Sequence, residues 1–369
     1  MKVSPGVLAT ATAAVLVTLV AVGIGYVVHS GDDRVTGDQQ PTRSTAASPT
    51  RSVPRSVPQP ASPSGTPSAG LPTQKAGPLV TFTAKPSKKP PTKKPQPKPK
   101  PPPPPPPPPV LDFTISSFNV LGASHTSGSG KRPGMAGGRV RASRAADLVR
   151  RHGSDVVGFQ ELQGIQLATL QRQTVMDFWP GFGLRSQDAE NSIGWRRDRF
   201  TAVEKRVVYI PYFNGSPRAM PLVKLRSNDT GVEAWFANFH NPADTSRFHH
   251  QQRFRNRATG VEIRLARQLA ASGTPFFITG DMNERAEYFC ALAGNAPVVA
   301  ARGGSHDGGC QANRPRAVDW IFGVKDDNVT FSGYYEDRSH LVDITTDHPV
   351  VVSQVRIVGE KGVTYDPGN

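Results

Sequence analysis

Two cysteines in 369 residues, Cys290 and Cys310, leave little scope for cysteine chemistry. A disulfide-dense scaffold is excluded, and no Cys/His cluster has the spacing of a zinc site. One bridge remains open to the chain. It would close a loop of about 20 residues, worth ~3 kcal/mol in the chain-entropy model.

Charge is missing from Val7–Val28, a run of 22 residues (VLATATAAVLVTLVAVGIGYVV) preceded only by Lys2 and the α-amino group. That length suffices to cross a hydrocarbon core of about 30 Å, and the flanking positive charge keeps the N-terminus inside. A cleaved signal peptide is the alternative, but its apolar region is shorter and ends at a small-x-small site. Here the run continues into VVHSGDD without one. Residues 1–29 are therefore expected to be a transmembrane signal-anchor, with the rest of the chain held at the cell membrane outside the cytoplasm. Cleavage would make it a secreted protein.

Core-forming residues are scarce from 30 to 110. This stretch is Pro/Ser/Thr-rich, then Lys/Pro-rich, and ends in nine consecutive prolines, Pro101–Pro109. It cannot bury enough apolar surface to fold, and the proline run favours polyproline II, a stiff spacer. Its lysines, in KKPPTKKPQPKPK, suit contact with anionic cell-wall polymer or lipid. The chain's net charge of +15 is concentrated here: residues 1–110 carry +10 and the remainder only +5. The high overall basicity is therefore weak support for a nucleic-acid partner, and clustered aromatics for base stacking are also missing.

What is present lies in 111–358, followed by a short tail at 359–369. Ten segments have strand character: Phe113–Val120, Asp155–Leu162, Ser192–Phe200, Val203–Ile210, Met220–Arg226, Val232–His240, Pro275–Gly280, Ala317–Val324, Val329–Tyr335 and Pro349–Ile357. They are short, β-branched or aromatic, and bounded by Gly, Pro, Asn or Asp. Val140, Arg144, Asp147, Leu148 and Arg151 share a helix face that ends at His152-Gly153. Phe254, Ala258, Val261, Leu265 and Leu269 form a second amphipathic stripe. So many strands with so few helices predict an α+β fold, a four-layer sandwich in which two mixed, mainly antiparallel sheets pack together between outer helices.

The stretch FFITGDMNE (Phe276–Glu284) ends a dry strand with Asp281 and Asn283, and other strands end similarly. Asn119 closes the first, Glu161 the second and His240 the sixth; Asp319 sits beside Trp320, and Asp347-His348 precede the last strand. Each alone is explained by turn chemistry. Together, beside apolar neighbours, they point to one convergent site, because burying such groups without partners costs several kcal/mol.

The order N…QE…H…GDMN…VDW…DH resembles the endonuclease/exonuclease/phosphatase superfamily over 111–358. Its specific elements are Gly280-Asp281-Met282-Asn283 and Thr346-Asp347-His348-Pro349; Gly194-Trp195-Arg196 and Ser216-Pro217-Arg218 match more loosely. The resemblance implies a metal-dependent phosphoesterase. Glu161, Asn119 and Asp347 would hold Mg²⁺ or Mn²⁺, hard cations suited to oxygen donors. Asp281 would activate water and Asn283 would donate to a phosphoryl oxygen. His348, oriented by Asp319, and His240 would assist, and Arg218 would contact the phosphate. The expected substrate is nucleic acid, cut by a monomer. The alternatives are a lipid head-group or small phosphoester as substrate and, in another class, an inactive wall-associated binding module. Arg139, Arg141, Arg144, Arg247, Arg253, Arg255 and Arg257 are open between a phosphate backbone and solvated helix faces; His249, His250 and His306 read as surface residues.

Overall fold

The computed structural model describes residues 104–128 and 131–359. The expected signal-anchor, the linker up to residue 103 and the tail from residue 360 lie outside the described residues. Among those described, no helix is long and apolar enough to cross a membrane.

The chain runs β1 (Val110–Asn119), α1 (Gly138–Arg151), β2 (Val156–Gln160), α2 (Gly164–Gln173), β3 (Met176–Trp179), α3 (Ser186–Ala189), β4 (Ile193–Arg196), β5 (Phe200–Pro211) and β6 (Pro217–Ser227). It continues with β7 (Glu233–His240), α4 (Gln252–Ala271), β8 (Phe276–Asp281), α5 (Ala286–Ala293), β9 (Val298–Ala300), β10 (Gly304–Ser305), β11 (Gln311–Ala312), β12 (Asp319–Val324), β13 (Val329–Asp337), α6 (His340–Asp343) and β14 (Val350–Val358). One six-stranded sheet has the order β13-β14-β1-β2-β4-β3 and the other β5-β6-β7-β8-β12-β9; β10 and β11 form a small hairpin.

Each large sheet contains one parallel pair, β1/β2 in the first and β7/β8 in the second. A parallel pair needs a crossover connection, supplied by α1 and α4 respectively. Those two helices therefore define the outer layers. Ala145, Ala146 and Leu148 of α1 pack with Phe118, Val157 and Phe159, while Ala258, Leu265 and Leu269 of α4 join the core around Phe276 and Ile278. Between the sheets, Phe113 meets Phe200, Phe236 and Phe277 edge-on, with centroids 5.9, 5.7 and 5.4 Å away. The predicted four-layer α+β sandwich is the observed one.

The expected strand Ser192–Phe200 is broken. β4 stops at Arg196, a turn covers 197–199, and the chain enters the other sheet as β5. The turn is held by charge: Arg196 Nε donates to Asp198 at 3.1 Å, and Arg199 pairs with buried Asp155 at 2.7 Å. Strands β3, β9, β10 and β11 escape sequence reading because two to four residues carry no measurable alternation.

Gly158 marks a close approach of the two sheets. A Cβ there would stand 1.9 Å from Thr279 Oγ1 and 2.5 Å from Asn238 Oδ1. Gly158→Ala is expected to cost at least ~3 kcal/mol, at or above the upper end of ordinary overpacking, read as a lowered denaturant midpoint.

Cys290 and Cys310 are bonded, with Cα atoms 5.6 Å apart. The bridge ties α5 to the turn of the β10–β11 hairpin. Replacing both with serine is expected to remove ~3 kcal/mol of stability, measured by urea unfolding.

Candidate active site

Alternation along the strands explains why polar groups gather at one end. Residues two apart share a face, so the inward row Phe113, Ile115, Ser117 ends in Asn119, and Phe277, Thr279 ends in Asp281. Both strands of each parallel pair point the same way, and their C-terminal ends therefore coincide: Asn119 pairs in register with Gln160, and His240 with Asp281. β12 and β14 run antiparallel to β8 and β1, so their starts arrive at that same end, placing Asp319 opposite Asp281 and His348 beside it.

Asp281, 1% exposed, is the hub. Its Oδ2 accepts from Asn119 Nδ2 at 3.1 Å and lies 3.7 Å from His240 Nε2 and 3.6 Å from His348 Nε2. Its Oδ1 accepts from the Asn283 backbone N–H at 2.9 Å. The Asn283 side chain donates to the Asn241 carbonyl at 2.8 Å. His348 Nδ1 stands 3.0 Å from both oxygens of buried Asp319. Burial opposes charge on His348, but Asp319, then Asp281 and Asp347, overcome it and raise its pKa to about 10. Burial also raises the Asp319 carboxyl.

Glu161 follows β2 with φ of 59°, a left-handed conformation unusual for a residue with a Cβ. Asn283, at φ 49°, is also left-handed. Such strain concentrates where surrounding structure over-determines a functional side chain. Glu161 accepts from Asn119 Nδ2 at 3.0 Å and the Gly122 N–H at 2.8 Å, and pairs with His125 at 3.2 Å. Burial pushes its carboxyl up, but His125, His240 and the Gly122 and Asn119 donors prevail and hold it below the usual carboxylate range. Asn119 acts here through its nitrogen, which ties Glu161 to Asp281, while its oxygen accepts from the Leu121 N–H at 3.0 Å. Asp347 pairs with Arg132.

Arg218 lies in the wall rather than as a free cation. It donates to the Gln187 carbonyl at 2.8 Å, sits 3.4 Å from Glu190, and stacks 4.3 Å from the centre of the Tyr212 ring. Tyr212 in turn meets His240 edge-on at 5.8 Å. Burial raises its hydroxyl pKa, and Arg218 opposes that.

Asp281, Asp319 and His348 each present one ligand atom within 4.8 Å of the others, a spacing compatible with a metal ion. Under the carboxylates lies a buried polar layer that joins the sheets. Gln160 donates to Asn238 Oδ1 at 2.7 Å, and Asn238 donates to the Phe159 carbonyl at 2.7 Å and the Asn191 carbonyl at 2.9 Å.

The family model described as Endonuclease/Exonuclease/phosphatase family matches residues 116–348. The chain belongs to the endonuclease/exonuclease/phosphatase family. It is accordingly a phosphoesterase of that family. Comparison with curated proteins returns no match. Among solved structures, a member of the family from Bacteroides thetaiotaomicron aligns with TM-score 0.51 and 19% identity, covering 68% of this chain and 100% of its own. A humanized D. rerio TDP2 aligns at 0.51 and 18%, covering 66% and 98%. The human Nocturnin catalytic domain with bound sulfate aligns at 0.51 and 14%, covering 67% and 96%. These identities show a shared fold.

Several residues of this family member's site are not legible as such in the sequence. His125 and Arg132 belong to a Gly/Ser-rich loop without periodicity, and Tyr212 directly follows β5 as one aromatic among many. The arginines divide. Arg141 is fully buried and donates to the carbonyls of Val120, Gly122, Ala136 and Thr345; Arg144 donates to the Ile344 carbonyl at 2.7 Å and Arg255 to the Pro242 carbonyl at 2.9 Å. These three anchor loops, which is neither of the roles expected of them. Arg139, Arg247, Arg253 and Arg257 are exposed, as are His249, His250 and His306.

Proposed function

We propose that the chain is a metal-dependent phosphodiesterase that cuts nucleic acid outside the cytoplasm. The observation that carries the reading is Asp281, a carboxylate flanked by two imidazoles with the Asn283 amide two residues on. Asp281 takes the proton of the attacking water as the new O–P bond forms. The Asn283 amide and the His348 imidazolium donate to the phosphoryl oxygens, where charge grows in the transition state. Asp319 holds His348 charged and oriented. His240, on the other side of Asp281, gives its proton to the leaving alkoxide as the P–O bond breaks.

The residues fit a hard divalent cation, Mg²⁺ or Mn²⁺. Glu161 and Asp347 are both paired with loop cations, His125 and Arg132, whose side chains are 50% and 45% exposed and can withdraw. Glu161 and Asp347 would hold the ion, with Asn119 placing Glu161. The Asp281–Asp319–His348 cluster already contains an imidazolium between two carboxylates and needs no further charge. When bound, the ion neutralises non-bridging phosphoryl oxygens.

Exposed Lys131, Arg132 and Arg139 near the mouth support a polyanionic substrate. One observation favours a second reading. A groove of about 500 Å³ beside Gln163 is lined by Ala123, Val140 and Ile165, and Val140, Ile165 and Phe182 are exposed. It suits the apolar part of a lipid phosphoester. The convergence of the site residues argues against an inactive binding module. The signal-anchor and spacer remain part of the proposal, holding a monomer clear of the membrane, and the basic linker would contact anionic wall polymer.

The test is to incubate the purified chain with plasmid DNA, RNA, sphingomyelin and inositol phosphates, each with Mg²⁺ and with chelator. Metal-dependent cleavage of DNA or RNA is expected. Cleavage of sphingomyelin alone would replace this reading with the second, and activity unchanged by chelator would remove the metal.

A further inference from the structure

Behind the site, α4 buries a carboxyl group. Glu262 is 0% exposed on the helix face that packs against β8 and α5. The Asn241 side chain and the Tyr288 hydroxyl of α5 lie against it, and Glu284 lies nearby. Arg255, on the same helix, sits 3.9 Å from Glu284. Several of these buried atoms lack an aligned hydrogen-bond partner: both Glu262 oxygens, the Tyr288 hydroxyl, Thr259 Oγ1 and Asn241 Oδ1. Leaving one such group unsatisfied costs about 1–3 kcal/mol, so a cluster of them needs an explanation.

Asn241 connects this cluster to the chemistry. It follows His240 directly. Its N–H donates to the Asp281 carbonyl at 3.0 Å, and its carbonyl accepts the Asn283 amide at 2.8 Å. Its side-chain nitrogen lies 4.0 Å from Met282 Sδ. One residue thus touches Asp281, Met282 and Asn283 and adjoins His240.

We propose that Glu262 is a positioning residue of the active site, setting through Asn241 where the Asn283 amide and the Asp281–His240 pair stand. The proposal rests on the phosphoesterase reading only for its activity test. An ionised Glu262 is favoured by the Asn241 side-chain amide and the Tyr288 hydroxyl, both of which can donate to it. A protonated Glu262 replaces one of its acceptors with an O–H donor, so the Asn241 side chain must turn or withdraw. Burial raises the Glu262 pKa to about 7, against opposing hydrogen bonds from Tyr288 and Asn241 and with a contribution from Glu284 in the same direction as burial. The switch between the two arrangements therefore falls near neutral pH. The aligned form is the ionised one, present above that value and lost below it.

Asn283→Ala assigns the Asn283 side-chain amide resonance by its loss in the full chain. In the wild type that resonance is expected to move with a midpoint near pH 7, and in Glu262→Gln, which stays neutral, to remain fixed. Tyr288→Phe removes a donor to the ionised carboxyl and is expected to move the midpoint upward, which keeps the proposal testable should Glu262→Gln not fold. On substrate, the kcat of Glu262→Gln relative to wild type should fall from about one at pH 6 to about a third or less at pH 8.5, with KM unchanged. An Asn283 resonance that does not titrate, or titrates alike in wild type and both variants, overturns the proposal, as does a kcat ratio flat with pH. A titrating resonance in a chain that cleaves no phosphoester supports the positioning role and sinks the phosphoesterase reading instead.

Discussion

Asp281→Asn is expected to lower turnover by about 10²–10⁴-fold, the range a general base contributes. The substitution keeps shape and volume and removes the ability to take a proton. Asp281 is 1% exposed, so water outside the site cannot readily replace it. KM should change little, because the proposed contacts with the substrate phosphate come from Asn283, His348 and the proposed metal ligands rather than from Asp281. Folding should survive, since the amide oxygen of the variant would still accept from the Asn283 N–H and only the contact between Asn119 and the other carboxylate oxygen would be lost. The two imidazoles at 3.6 and 3.7 Å would lose a charge partner rather than a packing partner. The measurement is single-turnover cleavage at saturating substrate, with circular dichroism to confirm the fold. Retention of more than a tenth of wild-type turnover would remove Asp281 from the role of base.

The sandwich and most of its site can be read from the chain because both rest on period-two alternation. Where an inward apolar row ends in Asn119 or Asp281, the polar residue inherits the inward direction, and a parallel neighbour brings its own terminus alongside. That logic places Asn119, His240, Asp281 and Asp319 from local pattern, and the Thr346-Asp347-His348-Pro349 motif adds a fifth strand end. Glu161 needs more, since its left-handed turn is not visible in sequence.

Residues that act through loops or helices leave no comparable trace. Arg141 looks like one basic residue in a run, yet its guanidinium satisfies four separate carbonyls behind β1. In α4 the apolar stripe runs through Val261, but Glu262 is the fully buried residue and Val261 is only half-buried. A helix turns about 100° per residue, so a small rotation of the buried face relative to the apolar stripe exchanges one position for its neighbour. Only tertiary packing against Tyr288 and Asn241 decides between them. The same limit explains His125 and Arg132, whose loop meets Glu161 and Asp347 from a part of the chain where spacing carries no direction.

Asp319→Asn is expected to move the alkaline limb of the activity–pH profile downward by more than one pH unit, and to reduce turnover at pH 9 by about 10²-fold, at the lower end of what general acid–base and charge-stabilising groups contribute. His348 is the group that titrates. In the intact pair its pKa is raised to about 10 from an ordinary value of 6.5, against the effect of burial. The imidazolium is therefore fully present below pH 6.5, still dominant at pH 9, and lost as pH rises through 10. Removing the Asp319 charge takes away its strongest supporter and leaves Asp281 at 3.6 Å and Asp347, so the limb falls part of the way toward 6.5 rather than all of it. Stability follows the same sign: the charged pair stabilises the folded chain below pH 6.5, that contribution fades toward pH 10, and the variant lacks most of it. A profile measured with a substrate whose leaving group needs no protonation isolates His348 from His240. An alkaline limb in Asp319→Asn that coincides with that of the wild type would show that turnover does not depend on the His348 proton, and the role of phosphoryl donor would pass to Asn283 alone.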